Sequence, residues 1–156
     1  MAIGKINARD FIIEVANDNK DVPSGWTTIH GLTSAIPNPG DHEQVVETTT
    51  FDSAGNYEQE IVQRGASLAL EGFLLVDPDT GAQDPGQAKV EALAAAVGRD
   101  SLWRVHFRHV ADKQWKVWLA TFSIGEQGGG NNDKVSWKAT ITRSGASTLV
   151  NVSAAS

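Results

Sequence analysis

The chain has 156 residues, enough for one domain with a real core, and its 40% hydrophobic content excludes bulk disorder. It contains no cysteine, so it can build neither a disulfide framework nor a thiolate zinc site, in keeping with a reducing cytoplasm. The net charge of -6 argues against a duplex-binding protein, which needs a basic face. No apolar run reaches the length of a membrane span, and Met1-Ala2-Ile3-Gly4-Lys5 has no signal-peptide core, so the cytosol, or a particle assembled in it, is the expected location.

In chain order, Phe11 to Val15 and Trp26 to Leu32 are expected as strands. Ile36-Pro37-Asn38-Pro39-Gly40 opens a polar loop that reaches at least Glu47. Ser67 to Val76 alternates, with Leu68, Leu70, Leu74 and Val76 on one face. Asp77-Pro78-Asp79-Thr80-Gly81 is a turn. A helix follows, with Asp84 as N-cap, Pro85 at the first helical position and Gln87 as capping-box partner. Val90, Leu93, Ala94 and Val97 make its apolar stripe, and Gly98 stops it.

Beyond the helix, Trp103, Val105 and Phe107 share one face of a strand, and Arg104, His106 and Arg108 the other. The polar segment Ala111-Asp112-Lys113 joins strands 102–110 and 114–124 into a hairpin. In the second of these, Trp115, Val117 and Leu119 alternate with Lys116, Trp118 and Ala120. Gly125 to Asp133 is a loop, after which Val135, Trp137, Ala139 and Ile141 form the apolar face of a last strand. Residues 1–24 and 147–156 are expected as arms. The fold class is therefore mainly β: a β-sandwich or partly closed barrel in a single domain spanning residues 1–156, flanked by one helix over about residues 85–97 that covers a sheet face or edge.

Possible chemical sites are few. His106 and His109 are three apart on a strand and point to opposite faces, so they do not share a metal; His30 and His42 have no matched spacing and are expected at the surface. Asp77 to Gly81 begins like a calcium loop but lacks its later ligands; Ala88 stands where a bidentate Glu would be needed. Gly128-Gly129-Gly130 lacks the lysine-serine pair of a phosphate loop, and no Gly-x-Ser-x-Gly elbow is present. Glu58 and Glu60 read as solvated carboxylates on one side of a strand. No catalytic residue, metal or cofactor is expected. Of the five tryptophans, Trp118 stands apart: with Trp115 in the core it turns outward or to an interface, whereas a helix-covered sandwich would leave it in the core.

The run Gly25-Trp26-Thr27-Thr28-Ile29-His30-Gly31-Leu32-Thr33-Ser34, then a polar spacer and Thr48-Thr49-Thr50-Phe51-Asp52, resembles the opening of the major tail tube protein of siphophages, whose tails are long and non-contractile. The likeness continues through Ser67-Leu68-Ala69-Leu70-Glu71-Gly72, the helix after Asp84, Trp103 to Phe107, Trp115 to Trp118, and Trp137 to Gly145. It covers roughly residues 25–146; no single motif is specific, and the order of all of them carries it.

The resemblance implies a structural virion protein, not an enzyme. Its subunits form hexameric rings that stack into a hollow tube, assembled in the host cytoplasm and resident in the virion tail. The tube conducts phage DNA into the host without sequence-specific binding, in the company of a tape-measure protein and tail terminator and baseplate proteins. A long loop, here residues 36–62, bridges neighbouring subunits or rings and orders on assembly. The interface candidates are Pro37, Asn38, Pro39, His42, Thr48, Thr49, Phe51, Asp52, Tyr57 and Trp118. An acidic surface suits a conduit that DNA must not stick to, so carboxylates are expected to outnumber basic groups along the lumen. The alternatives, in order, are the inner tube of a contractile tail or secretion system and a monomeric ligand-binding β-sandwich.

Overall fold

The computed structural model describes residues 3–152. Its strands are β1 (Phe11–Ala16), β2 (Trp26–Thr28), β3 (Leu32–Asn38), β4 (Gln44–Glu47), β5 (Gln59–Gln63), β6 (Ser67–Phe73), β7 (Trp103–His109), β8 (Gln114–Ile124), β9 (Ser136–Arg143) and β10 (Thr148–Asn151). A single α-helix, α1 (Pro85–Ala94), lies between β6 and β7 among the described residues. Eight strands form one antiparallel sheet in the order β2-β1-β7-β8-β9-β6-β3, with β10 also on β8; β4 and β5 pair only with each other. β10 follows β9 along the same edge of β8, and the break between them is bridged by the Ser144 amide, which donates to the Leu119 carbonyl at 2.7 Å.

Alternation of side chains decides which face is core. Ile13 and Val15, Leu68 and Leu70, Val105 and Phe107, Ala120 and Phe122, and Trp137, Ala139 and Ile141 all turn inward and are buried. Val90 and Leu93 of α1 pack on this layer. Each large aliphatic or aromatic side chain so buried contributes about 1.5–3 kcal/mol, so this layer is the main source of stability. The sheet bends around the core as a sandwich with a flanking helix and does not close into a barrel. At the seam, residues 11–13 of β1 and residues 32–36 of β3 line an open cleft of about 630 Å³.

Several expectations change, among them the strand over Ser67 to Val76, which ends at Phe73 and leaves Val76 exposed. Trp118 is 4% exposed and meets Phe107 edge-to-face at 4.8 Å, while Trp115 faces the other side of β8. The register sets this, because Val105 opposite Trp118 and Ile141 opposite Phe122 are both inward. The expected strand 26–32 is two strands, since Gly31, at φ +81°, turns the chain from one end of the sheet toward the other. The helix ends at Ala94 rather than 97, which leaves Val97 84% exposed. The segment 36–62 is not one continuous loop: β3 runs on to Asn38, and β4 and β5 form a hairpin.

The N-cap holds, with the Asp84 carboxylate accepting from the Gln87 amide at 3.2 Å. The Gln87 side chain does something else. It is fully buried; its Nε2 donates to the carbonyls of Phe73 (2.8 Å) and His30 (3.0 Å), and its Oε1 accepts from the Leu75 amide (3.1 Å). One side chain thus ties α1 to the β2–β3 turn and to the chain leaving β6. Gly86 permits the approach: a Cβ there would lie 2.3 Å from the Thr28 carbonyl oxygen.

Candidate assembly interface

Residues 41–64 form an arm outside the sheet. Val45 sits opposite Ile61 and Val46 opposite Glu60, with a bulge at the Gln44 end. Beyond β4 the ladder continues through the Thr48 amide, which donates to the Glu58 carbonyl, and the Glu58 amide, which donates to the Thr49 hydroxyl, both at 2.9 Å. A short 3-10 turn at Phe51–Ser53 closes the tip, where the Ser53 hydroxyl accepts from the Thr50 amide at 3.0 Å. At the base the Gln63 side chain donates to the His42 carbonyl at 2.9 Å.

Every residue of β4 and β5 is exposed. Phe51 at the tip is fully exposed, and Val45, Val46, Tyr57, Ile61 and Val62 lie open on the limbs. A two-stranded hairpin with no core beneath it is marginal alone, and clustered exposed apolar groups mark a contact surface. The arm is also strongly acidic: Asp41, Glu43, Glu47, Asp52, Glu58 and Glu60 face a single basic residue, Arg64. Arg64 approaches Glu43 only to 4.0 Å at the surface, a contact worth little.

Nine of the ten expected interface residues fall on this arm or its root. Pro37 and Asn38 end β3 beside Leu68 and Ser67, Pro39 leads out, and His42 lies at the base. Thr48 and Thr49 continue the limb, Phe51 and Asp52 form the tip, and Tyr57 returns, its hydroxyl donating to Gln59 Oε1 at 3.1 Å. Trp118 is not with them. The valines and isoleucine of the limbs escaped the sequence reading. Their signal was two β-branched doublets, Val45-Val46 and Ile61-Val62, each flanked by polar residues.

A second cluster, unmarked by any motif, lies on the outer face of the sheet. His106 is 5% exposed and stacked between two indoles, Trp26 at 3.6 Å and Trp115 at 3.7 Å between ring centroids. Its Nε2 lies 2.6 Å from Glu14 Oε1, and the Thr28 hydroxyl donates to Glu14 Oε2 at 2.8 Å. The His106 bond holds the Glu14 carboxyl below its ordinary range, and burial pushes the His106 imidazole below its own. His109 turns to the opposite face, where its Nδ1 accepts from the Ala111 amide and its Nε2 donates to the Asn7 carbonyl. Among the described residues no group of three or more His, Asp or Glu could hold a metal ion, and no helix is long and apolar enough to cross a membrane.

No family model matches the chain, and no curated protein matches it in sequence. Solved structures do. One is a chain in the virion of a native gene transfer agent particle, with a TM-score of 0.62 and 18% identity over 94% of this chain and 99% of that one. Another is in the tail of an empty gene transfer agent particle, computed with helical refinement in C6 symmetry, with a TM-score of 0.61 and 20% identity over 96% of this chain and all of that one. At these identities the likeness is one of fold.

Proposed function

We propose that the protein is the major tail tube subunit of a phage-like particle with a long non-contractile tail. Its copies join into hexameric rings that stack into a tube, and DNA passes through the tube toward the host. The observation that carries this reading is the acidic, apolar-tipped β4–β5 arm, which has no contact surface within its own subunit. Its fold-level support is the end-to-end likeness to a chain of a C6-symmetric tail. The open edges at β2, β3 and β10 offer unpaired backbone through which neighbours can extend one sheet into the next. Such contacts are heterologous, and a heterologous contact closes into a ring when its rotation allows.

The role is structural and includes no reaction. The tube belongs in the virion tail, assembled in the host cytoplasm with a tape-measure protein and terminator and baseplate proteins. Size-exclusion chromatography with light scattering over a concentration series tests the proposal. Masses at multiples of six subunits, growing with concentration, are expected; a monomer at every concentration would reject it in favour of a monomeric sandwich.

A further inference from the structure

The cleft at the seam has an apolar floor and a basic lip. Phe11 and Ile13 come from β1, Ile29 from the chain leaving β2, and Leu32 and Ala35 from β3. Arg9, in the short 3-10 turn Ala8–Asp10 before β1, stands at the lip. It is exposed and, among the described residues, belongs to no ion pair. His30 is the one other titratable side chain on the lining, and no carboxylate lies there. Both strands are bare along the cleft. β3 ends the sheet, and β2 covers β1 only as far as the Ile29 amide, which donates to the Ile13 carbonyl at 3.0 Å.

We propose that this cleft receives the arm tip of a second copy of the chain: Phe51 enters between β1 and β3, and Asp52 meets Arg9. The proposal rests on the reading of the arm as an assembly element. The two surfaces are complementary. The tip sets a fully exposed Phe51 beside an acid that, among the described residues, has no ion-pair partner, and the cleft sets an apolar floor beside a cation. An aromatic anchor in a pocket supplies affinity, and a charge pair at the rim supplies register. The arm does not fill the cleft of its own subunit: none of residues 37–65 lines it, and β4 and β5 pair only with each other. The limb from Asp41 to Thr50, at about 3.3 Å per residue, carries the tip up to about 30 Å from its root, about the diameter of a small domain. Tip and cleft occupy different parts of one chain, so the contact is heterologous. Each copy gives one tip and receives another, which suits a ring. The bare edge of β3 can add backbone bonds to the incoming limb.

The chain has no cysteine, so engineered thiols report the contact without background. Thr33→Cys on the cleft wall and Thr50→Cys beside Phe51, both at exposed positions, are made in separate chains, mixed and treated with a short bismaleimide. A cross-linked pair is expected in the mixture and in neither variant alone. Val97→Cys, exposed but not on the cleft, should give none when it replaces Thr33→Cys. Adding Phe51→Ala to the Thr50→Cys chain should raise the concentration for half cross-linking about thirtyfold, the loss of a ~2 kcal/mol anchor. Asp52→Arg should raise it about tenfold, and Arg9→Asp on the other chain should reverse that rise.

The docking is overturned if the mixture gives no pair, if Val97→Cys cross-links as well as Thr33→Cys, or if Arg9→Asp fails to relieve Asp52→Arg while circular dichroism shows both chains folded. A chain carrying both Thr33→Cys and Thr50→Cys separates this outcome from the tube reading. A ladder of products reaching six supports both. A ladder that stops at two keeps the docking and rejects the ring, and rings without the mixed cross-link keep the tube and reject the docking.

Discussion

Trp115 and Trp118 are three residues apart on one strand and do opposite work. Trp118 fills the core against Phe107, so Trp118→Ala should cost about 3–5 kcal/mol in urea denaturation, and a cost under about 1 kcal/mol would mean that the side chain lies outside. Alternation made it legible that the two tryptophans oppose each other. It could not say which faces in, because both faces of β8 carry large apolar groups: Trp115, Val117 and Leu119 on one, Trp118, Ala120 and Phe122 on the other. Gln87 poses the same difficulty. Its spacing from Asp84 fits a capping box, but that spacing cannot reveal three backbone groups arriving from elsewhere in the chain. Gln87→Ala leaves those groups without a partner and should lower stability by about 3 kcal/mol or more, measured by the same denaturation; a loss near zero would show that water replaces the amide.

Strands that pack on one side were legible as elements. β6, β8 and β9 each alternate over at least four residues because one face is buried more deeply than the other, while β7 alternates in its sequence, apolar against basic, although His106 on its outer face is buried too. The β4–β5 hairpin was not, for the converse reason. Both of its faces are exposed, so no period of two is imposed, and its Pro-rich approach and acidic content read as loop. The interface residues expected on it were picked from a family likeness and from polarity, not from strand pairing. As a separate element the arm should also be separable. Asp41 and Gly65 meet at its base, where a Cβ on Gly65 would lie 2.9 Å from the Asp41 carbonyl oxygen, so the two residues are the place to join the chain when residues 42–64 are removed. That deletion should leave the far-UV circular dichroism of the main sheet and a cooperative thermal transition, and should abolish assembly. Normal assembly of the deleted chain would show that the arm is dispensable.

At the scale of the whole molecule, charge and shape divide between two parts. The sandwich is nearly neutral, and the arm carries most of the excess of carboxylates over basic residues. The sandwich keeps its sheet open at the seam between β1 and β3. An acidic arm that finds no partner in its own subunit and a sheet with unpaired edges are each costly in a monomer, through exposed apolar surface and an invitation to non-specific strand pairing. In the proposed ring both would become contact surfaces. The fold likeness to a chain of a gene transfer agent tail takes in 96% of this chain and all of that one. The most direct measurement is negative-stain electron microscopy of the concentrated protein. The account predicts hollow rings or tubes with sixfold end views; a field of single particles that never assemble, even with tail-initiation proteins added, would contradict it.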